Sequence, residues 1–285
     1  MLLLTSSIIT VQIVIAQVSQ EIYINSDGTI TGTDSIQRNV EIYTLTGNIS
    51  GSIHIQKSSI ILDGASYAII GNGIGTGVDL TNNREQDISR PTICNVTVKN
   101  LKIINFSLGI ENTNAYNNTL IGNYIENCSV HGIRIAGSNG TAVMYNTLKD
   151  TNVYIFYVGS NNNITRNNFM NSQLIVYMYL QPPLVDRNYW SNYTTRYPDA
   201  KEIGNTGVWD TPYYVPFSSE FTDYHPLTKP ITNSSMDNQT PNEQDSTIPT
   251  KESFPIVPVV ASISIIAIVS VGLVVYFKKR KKQIE

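Results

Sequence analysis

Charge is scarce in this chain. Asp, Glu, Lys and Arg make up 14% of the 285 residues, and the net charge is −3. Such a balance lacks the basic surface that a nucleic-acid partner requires, so no nucleic acid is expected. Only two cysteines occur, which rules out a disulfide framework. His54, His131 and His225 stand alone, without metal-ligand spacing. No Ser–His–Asp or Cys–His arrangement emerges. Between residues 96 and 190 the acids are Glu111, Glu126, Asp150 and Asp186. No pair of them clusters as acid–base chemistry on a sugar requires. No catalytic residue, metal or other cofactor is therefore expected. A sustained helical period is missing from the middle of the chain as well.

What is present is a repeat. Val98, Leu120, Val143, Ile164 and Val185 are spaced 22, 23, 21 and 21, and Ile103, Ile125, Leu148, Phe169 and Trp190 follow the same steps. Asn123, Asn146, Asn167 and Asn188 form a third column, and Asn105, Asn127, Asp150 and Asn171 a fourth. A fixed period of this size means stacked repeats. Each repeat holds short alternating runs such as Ile133-Arg134-Ile135, which read as strand. Asn, Gly and Ser between the runs read as turns. A unit of about 22 residues with several short strands and no helix fits one coil of a parallel β-helix, rising roughly 4.8 Å per coil. The aliphatic columns then fill the interior. The Asn123, Asn146, Asn167 and Asn188 amides stack at a turn as a structural ladder. The fourth column is expected to face inward. Cys94 and Cys128 lie about one and a half coils apart, so no bridge is expected, and Cys128 reads as a small buried residue.

The segments Gly122-Asn123-Tyr124-Ile125-Glu126-Asn127 and Gly132-Ile133-Arg134-Ile135 carry a resemblance. So do Asn188-Tyr189-Trp190-Ser191-Asn192-Tyr193, Gly207-Val208-Trp209-Asp210 and Asp223-Tyr224-His225-Pro226-Leu227. Over residues 21–229 the chain resembles right-handed parallel β-helix repeat proteins of the pectin-lyase-like superfamily. More closely, it is similar to NosD-type surface and periplasmic β-helix proteins, especially archaeal ones. The resemblance implies an all-β, right-handed, single-stranded parallel β-helix. It leaves activity open, because one fold hosts many functions. His131-Gly132-Ile133-Arg134-Ile135 resembles polygalacturonase elements, but the accompanying aspartates are missing. The copper role that the NosD likeness implies has no visible ligand set. The stretch 199–210 is diluted by Lys201, Ile203 and Thr206, against the oxygen-rich set that calcium needs.

The ends suggest a compartment. Residues 1–16 are apolar and close on Val14-Ile15-Ala16, as a signal peptide does. Residues 256–277 carry no charge, enough to cross about 30 Å of hydrocarbon. Lys278-Lys279-Arg280-Lys281-Lys282 follows, which places the tail inside and the bulk of the chain outside. The expected order is a signal peptide at 1–16, lead-in strands and cap at 17–59 and the β-helix at 60–190. An aromatic C-terminal cap at 191–229, a disordered stalk at 230–254, a transmembrane helix at 255–277 and a basic cytoplasmic tail at 278–285 follow. The charged stretch 81–92, with Glu85 and Asp87, is expected to leave the stack as a lateral loop. Asn-x-Ser/Thr sequons make Asn233 and Asn238 in the stalk the leading glycosylation candidates. Asn48, Asn139 and Asn163 are further ones.

One surface suggests a function. With Ile110, Ile133, Ile155 and Val176 inward, Glu111, Arg134, Phe156 and Tyr177 face outward in one column, and Val158 and Tyr179 follow, also outward. Phe156, Tyr177 and Tyr179 would form an exposed aromatic strip suited to stacking on sugar rings. The expectation is a membrane-anchored extracellular binding or structural protein whose partner is a polysaccharide or envelope component. The alternatives are a polysaccharide lyase, hydrolase or epimerase of the same fold, an accessory factor for a metal site, and a surface-layer component.

Overall fold

The structure is a computed structural model, and it describes residues 20–81, 92–216 and 221–232. The expected signal peptide and transmembrane helix, most of the stalk, the basic tail, Asn233, Asn238, Glu85 and Asp87 lie outside the described residues. Among the described residues no helix is long and apolar enough to cross a membrane.

Twelve of the 24 strands among the described residues are three residues long, most with a buried central position, as in Thr119–Ile121 and Tyr124–Glu126. A residue of left-handed backbone directly follows nine of the twelve and ends the strand. Asn100, Gly122, Tyr145, Arg166 and Arg187 hold φ of 53 to 67° at one corner. Asn105, Asn127, Asp150 and Asn171 hold φ of 49 to 63° at another. Asn, Asp and Gly tolerate this region, whereas most residues resist it. The second set corrects an expectation. These side chains do not face inward, because a left-handed residue breaks the in–out alternation, and Asn127, Asp150 and Asn171 are exposed.

The strands stack as three parallel sheets. The first runs Gln20–Ile24, Gly51–Ile55, Thr76–Asp79, Leu108–Thr113, His131–Ala136, Val153–Phe156, Leu174–Val176. The second is led by Ile42–Leu45 and continues from Ile61–Asp63 to Leu184–Asp186, and the third runs from Ala68–Ile70 to Tyr189–Trp190. Parallel pairing therefore reaches back to Gln20–Ile24, and the step of 21 to 23 begins only at Val98 and Ile103, since Leu62 to Val98 is 36 residues. Antiparallel strands Ile30–Thr31 and Ile36–Asn39 blunt the N-terminal end. One short helix, Tyr193–Arg196, occurs among the described residues.

Val98, Leu120, Val143, Ile164 and Val185 are in-register partners, and all are buried. Each such side chain contributes roughly 1.5–3 kcal/mol of transfer free energy. Phe169 continues the second column into Trp190 and then Tyr213, with successive ring centroids 4.2 Å apart. At the corner between these columns the asparagines form a ladder. The Asn123 main-chain N–H donates to Asn146 Oδ1 at 2.9 Å, Asn146 N–H to Asn167 Oδ1 at 3.0 Å, and Asn167 N–H to Asn188 Oδ1 at 2.9 Å. Each amide nitrogen donates to a carbonyl of the preceding coil, such as Asn146 Nδ2 to Leu120 O at 2.8 Å.

A ladder needs an end, and Asp223 supplies it. Its carboxylate accepts the N–H groups of Arg187 (2.9 Å) and Asn188 (2.8 Å) and the Trp190 indole N–H (3.0 Å). Asp223 is fully buried and stands where the next asparagine would. A second ladder, at the corner before the second sheet, uses Asn118, Thr141 and Asn162. Val96 N–H donates to Asn118 Oδ1 at 2.8 Å and Thr141 N–H to Asn162 Oδ1 at 3.0 Å. Both cysteines are free, and Cys128 is buried.

Candidate functional site

The outer face of the first sheet carries the chemistry. Tyr23, His54, Asp79, Glu111, Arg134, Tyr154 and Ile175 occupy one in-register column along the axis. Its N-terminal half is ionic. His54 Nε2 lies 2.6 Å from Glu21 and its Nδ1 3.2 Å from Asp79. Arg134 donates to Glu111 at 2.7 Å. Hydrogen bonding to Asp79, against burial and with help from Glu21, raises the His54 pKa above its ordinary value. Burial would raise Asp79, but bonds from His54 and Thr81 outweigh it and hold the carboxyl below its usual range.

The C-terminal half is aromatic. His131 stacks on Tyr154 with centroids 4.5 Å apart, Tyr154 lies 6.3 Å from Phe156, and Phe156 lies 5.8 Å from Tyr177. Burial, and secondly the Arg134 charge, hold the His131 pKa below its ordinary value, favouring the neutral ring. Tyr177 is 69% exposed.

Two expectations are corrected here. Ile133 pairs with Val153 rather than Ile155, so Arg134 faces Tyr154 and Phe156 faces Ala136. Glu111 and Arg134 therefore share a column with Tyr154, while Phe156 and Tyr177 stand one column aside. The reason is a coil of 20 residues from 133 to 153, where 22 was expected. Tyr179 also leaves the strip. It packs edge-on against Phe221, centroids 4.9 Å apart, and Val158 is fully buried. Left-handed Tyr157 (φ 48°) precedes Val158 and reverses its direction. Tyr154 and His131 take the place of Tyr179.

The sequence points to neither Glu21 nor Asp79, nor to the in-register pairing of Asp79 with Glu111, and His54, expected to stand alone, lies between two carboxylates. The steps from 53 to 78 and from 78 to 110 are 25 and 32 residues, which hides the column from any search at a fixed period. The histidines do not form a metal centre. The two carboxylates at His54 sit on opposite ring nitrogens, His131 lies on Tyr154, and His225 lies 2.8 Å from Asp186. Among the described residues no group of three His, Cys, Asp or Glu could hold an ion. Glu202 and Asp210 each accept a backbone N–H, from Gly207 and Lys201.

Two sequons sit within the fold's own hydrogen bonding, and the side-chain oxygen of a third is buried without a hydrogen bond. Asn48 Oδ1 accepts Ala68 N–H at 2.8 Å, Asn139 Oδ1 accepts Ser160 N–H at 3.1 Å, and Asn163 Oδ1 is buried. Among the described sequons Asn48, Asn95, Asn117, Asn127 and Asn192 are exposed.

The model of one family, described as the right-handed β-helix region, matches residues 20–188, more than half of the 285. The chain belongs to that family. Neither a curated protein nor a solved structure matches it. In this β-helix protein the matched segment holds every residue of the ionic and aromatic columns.

Proposed function

We propose that this β-helix protein is a non-catalytic polysaccharide-binding protein of the cell envelope. It is of the NosD-like, archaeal type, and residues 255–277 anchor it with the basic tail inside. The observation that carries the reading is the rail of His131, Tyr154, Phe156 and Tyr177 on a rigid parallel sheet. Near-parallel rings carried on a rigid sheet offer sugar rings an ordered apolar strip, with the exposed Tyr177 at its end. Glu111 and Arg134 border the rail and offer polar contacts.

The test incubates the full-length protein with neutral and acidic polysaccharides and reads retention and new chain ends together. Retention without new ends, lost in Tyr154→Ser/Phe156→Ser/Tyr177→Ser while circular dichroism is unchanged, is the expected result. Retention by the triple variant would sink the reading.

A second reading, a carbohydrate-active enzyme, draws on Asp79 and Glu111. As in-register neighbours their backbones are about 4.8 Å apart, which puts both carboxyls on one patch of the outer face. Against it stands the Asp79 carboxyl, held low by His54, whereas a general acid needs a raised one. New chain ends that vanish in Glu111→Gln would favour the enzyme.

A further inference from the structure

Beside the aromatic rail runs a groove of about 540 Å³, lined by Asn152, Asn171, Gln173, Ser191, Asn192 and Thr195. Its size falls within the ~300–1,000 Å³ of small-molecule sites. Asn152 and Gln173 immediately precede the strands Val153–Phe156 and Leu174–Val176, so the groove borders the sheet that carries Tyr154, Phe156 and Tyr177. Several of its polar groups are uncommitted. Asn152 Oδ1 accepts Gln173 N–H at 2.9 Å, leaving its NH₂ group. Asn192 Oδ1 accepts the Tyr213 hydroxyl at 3.2 Å, again leaving NH₂. The Gln173 amide and Thr195 hydroxyl are exposed. Amide donors and acceptors beside a hydroxyl match sugar hydroxyls.

Charge on the same face selects among glycans. Glu21, Asp79 and Glu111 outnumber His54 and Arg134, so the ionic column is net negative in either protonation state of His54. Both of its cations are already committed, His54 to Glu21 and Asp79, and Arg134 to Glu111. Arg196, next to Thr195, lies over the Tyr213 and Tyr197 rings at 5.0 and 5.5 Å, and among the described residues no Arg or Lys lines the groove itself. Capture of a carboxylated sugar calls for a free Arg or Lys.

We infer that the ligand is a neutral oligosaccharide, stacked on the aromatic rail and hydrogen-bonded in the groove beside it; this rests on the binding reading above. The test measures binding of cellohexaose, N-acetylated chitohexaose and hexagalacturonate to the immobilised full-length protein, at low and at high salt. A neutral hexamer is expected to bind at least about tenfold more tightly than hexagalacturonate at low salt, with the gap narrowing as salt screens the carboxylates. Gln173→Ala/Thr195→Ala, both at exposed positions, is expected to weaken the neutral hexamer at least about fivefold, as loss of hydrogen bonds does. Hexagalacturonate binding as tightly as the neutral hexamers would overturn the ligand class and leave the binding reading standing. Unchanged affinity in the groove variant would overturn the groove. Binding of none of the three hexamers would overturn the inference, and if the polysaccharide panel is not retained either, the binding reading falls with it.

Discussion

Replacing Asn146 by alanine tests whether the ladder holds the coils together. Asn146 is fully buried. Its Oδ1 accepts both the main-chain N–H and the amide N–H of Asn123, at 2.9 and 3.0 Å. Its Nδ2 donates to Leu120 O at 2.8 Å and Asn167 Oδ1 at 3.1 Å. Alanine keeps the main-chain N–H that Asn167 Oδ1 also accepts. It strands the Asn123 main-chain N–H and one Asn123 amide hydrogen inside the solenoid, while the Leu120 carbonyl keeps its ladder bond from the next strand. With two stranded donors at about 1–3 kcal/mol each, the expected loss is roughly 2–6 kcal/mol. That is a large share of the 5–15 kcal/mol typical of a folded domain. Asn127→Ala is the control. Its side chain is exposed, makes one 3.2 Å bond to Asn105 and sits at φ 54°, so its cost is about 1–2 kcal/mol, mostly left-handed strain. Urea titrations followed by circular dichroism give both values if the slope is unchanged. A loss below about 1 kcal/mol for Asn146→Ala, or one no larger than the control, would refute the reasoning. Leu101 occupies the equivalent place in the preceding coil and only donates its N–H, to Asn123 Oδ1 at 3.1 Å. The first rung therefore tolerates an apolar residue, whereas an interior rung should not.

Asp223→Ala leaves buried donors of Arg187, Asn188 and Trp190 unpaired and should cost at least about 3 kcal/mol by urea titration; a variant within 1 kcal/mol of wild type would mean another group ends the ladder. The raised His54 pKa makes its stabilisation complete below the ordinary value of 6.5 and lost as pH rises through the folded value. Tm should therefore fall between about pH 6 and 8 more steeply than in His54→Gln, and parallel profiles would contradict the ion-pair account. Burial pushes the Cys128 thiol up from 9.0 to about 11. In a Cys94→Ser background its reaction with iodoacetamide at pH 8 should be about 100-fold slower in the native state than in urea, and equal rates would show that the thiol is not buried. Arg166 holds φ 55° at a corner where earlier coils use Asn100 and Gly122; Arg166→Asn should add up to about 1 kcal/mol, and a loss would show that the arginine makes contacts outweighing its strain.

The interior of this solenoid is legible in its sequence because corners and core share one period. Val98 and Ile103 recur at steps of 21 to 23, since the left-handed residues between them sit at fixed offsets. The outer face of the first sheet obeys no such rule. From left-handed Asn127 to Ile133 is six residues, but from Asp150 to Val153 only three. Shortening that corner slides the next strand along its neighbour without moving a buried column, so the core signal stays intact while the surface pairing changes. Tyr154 therefore comes to face Arg134, and extrapolation at a constant step put Phe156 there. Insertions act the same way nearer the start, where irregular coils bring His54, Asp79 and Glu111 together although no period links them. Ladder residues such as Asn118 and Asn162 do keep the period, but each follows a turn Asn and is easily read as part of the turn. In a stacked fold of this kind, burial ties core positions to the repeat, and the corners that leave it free decide what the binding face presents.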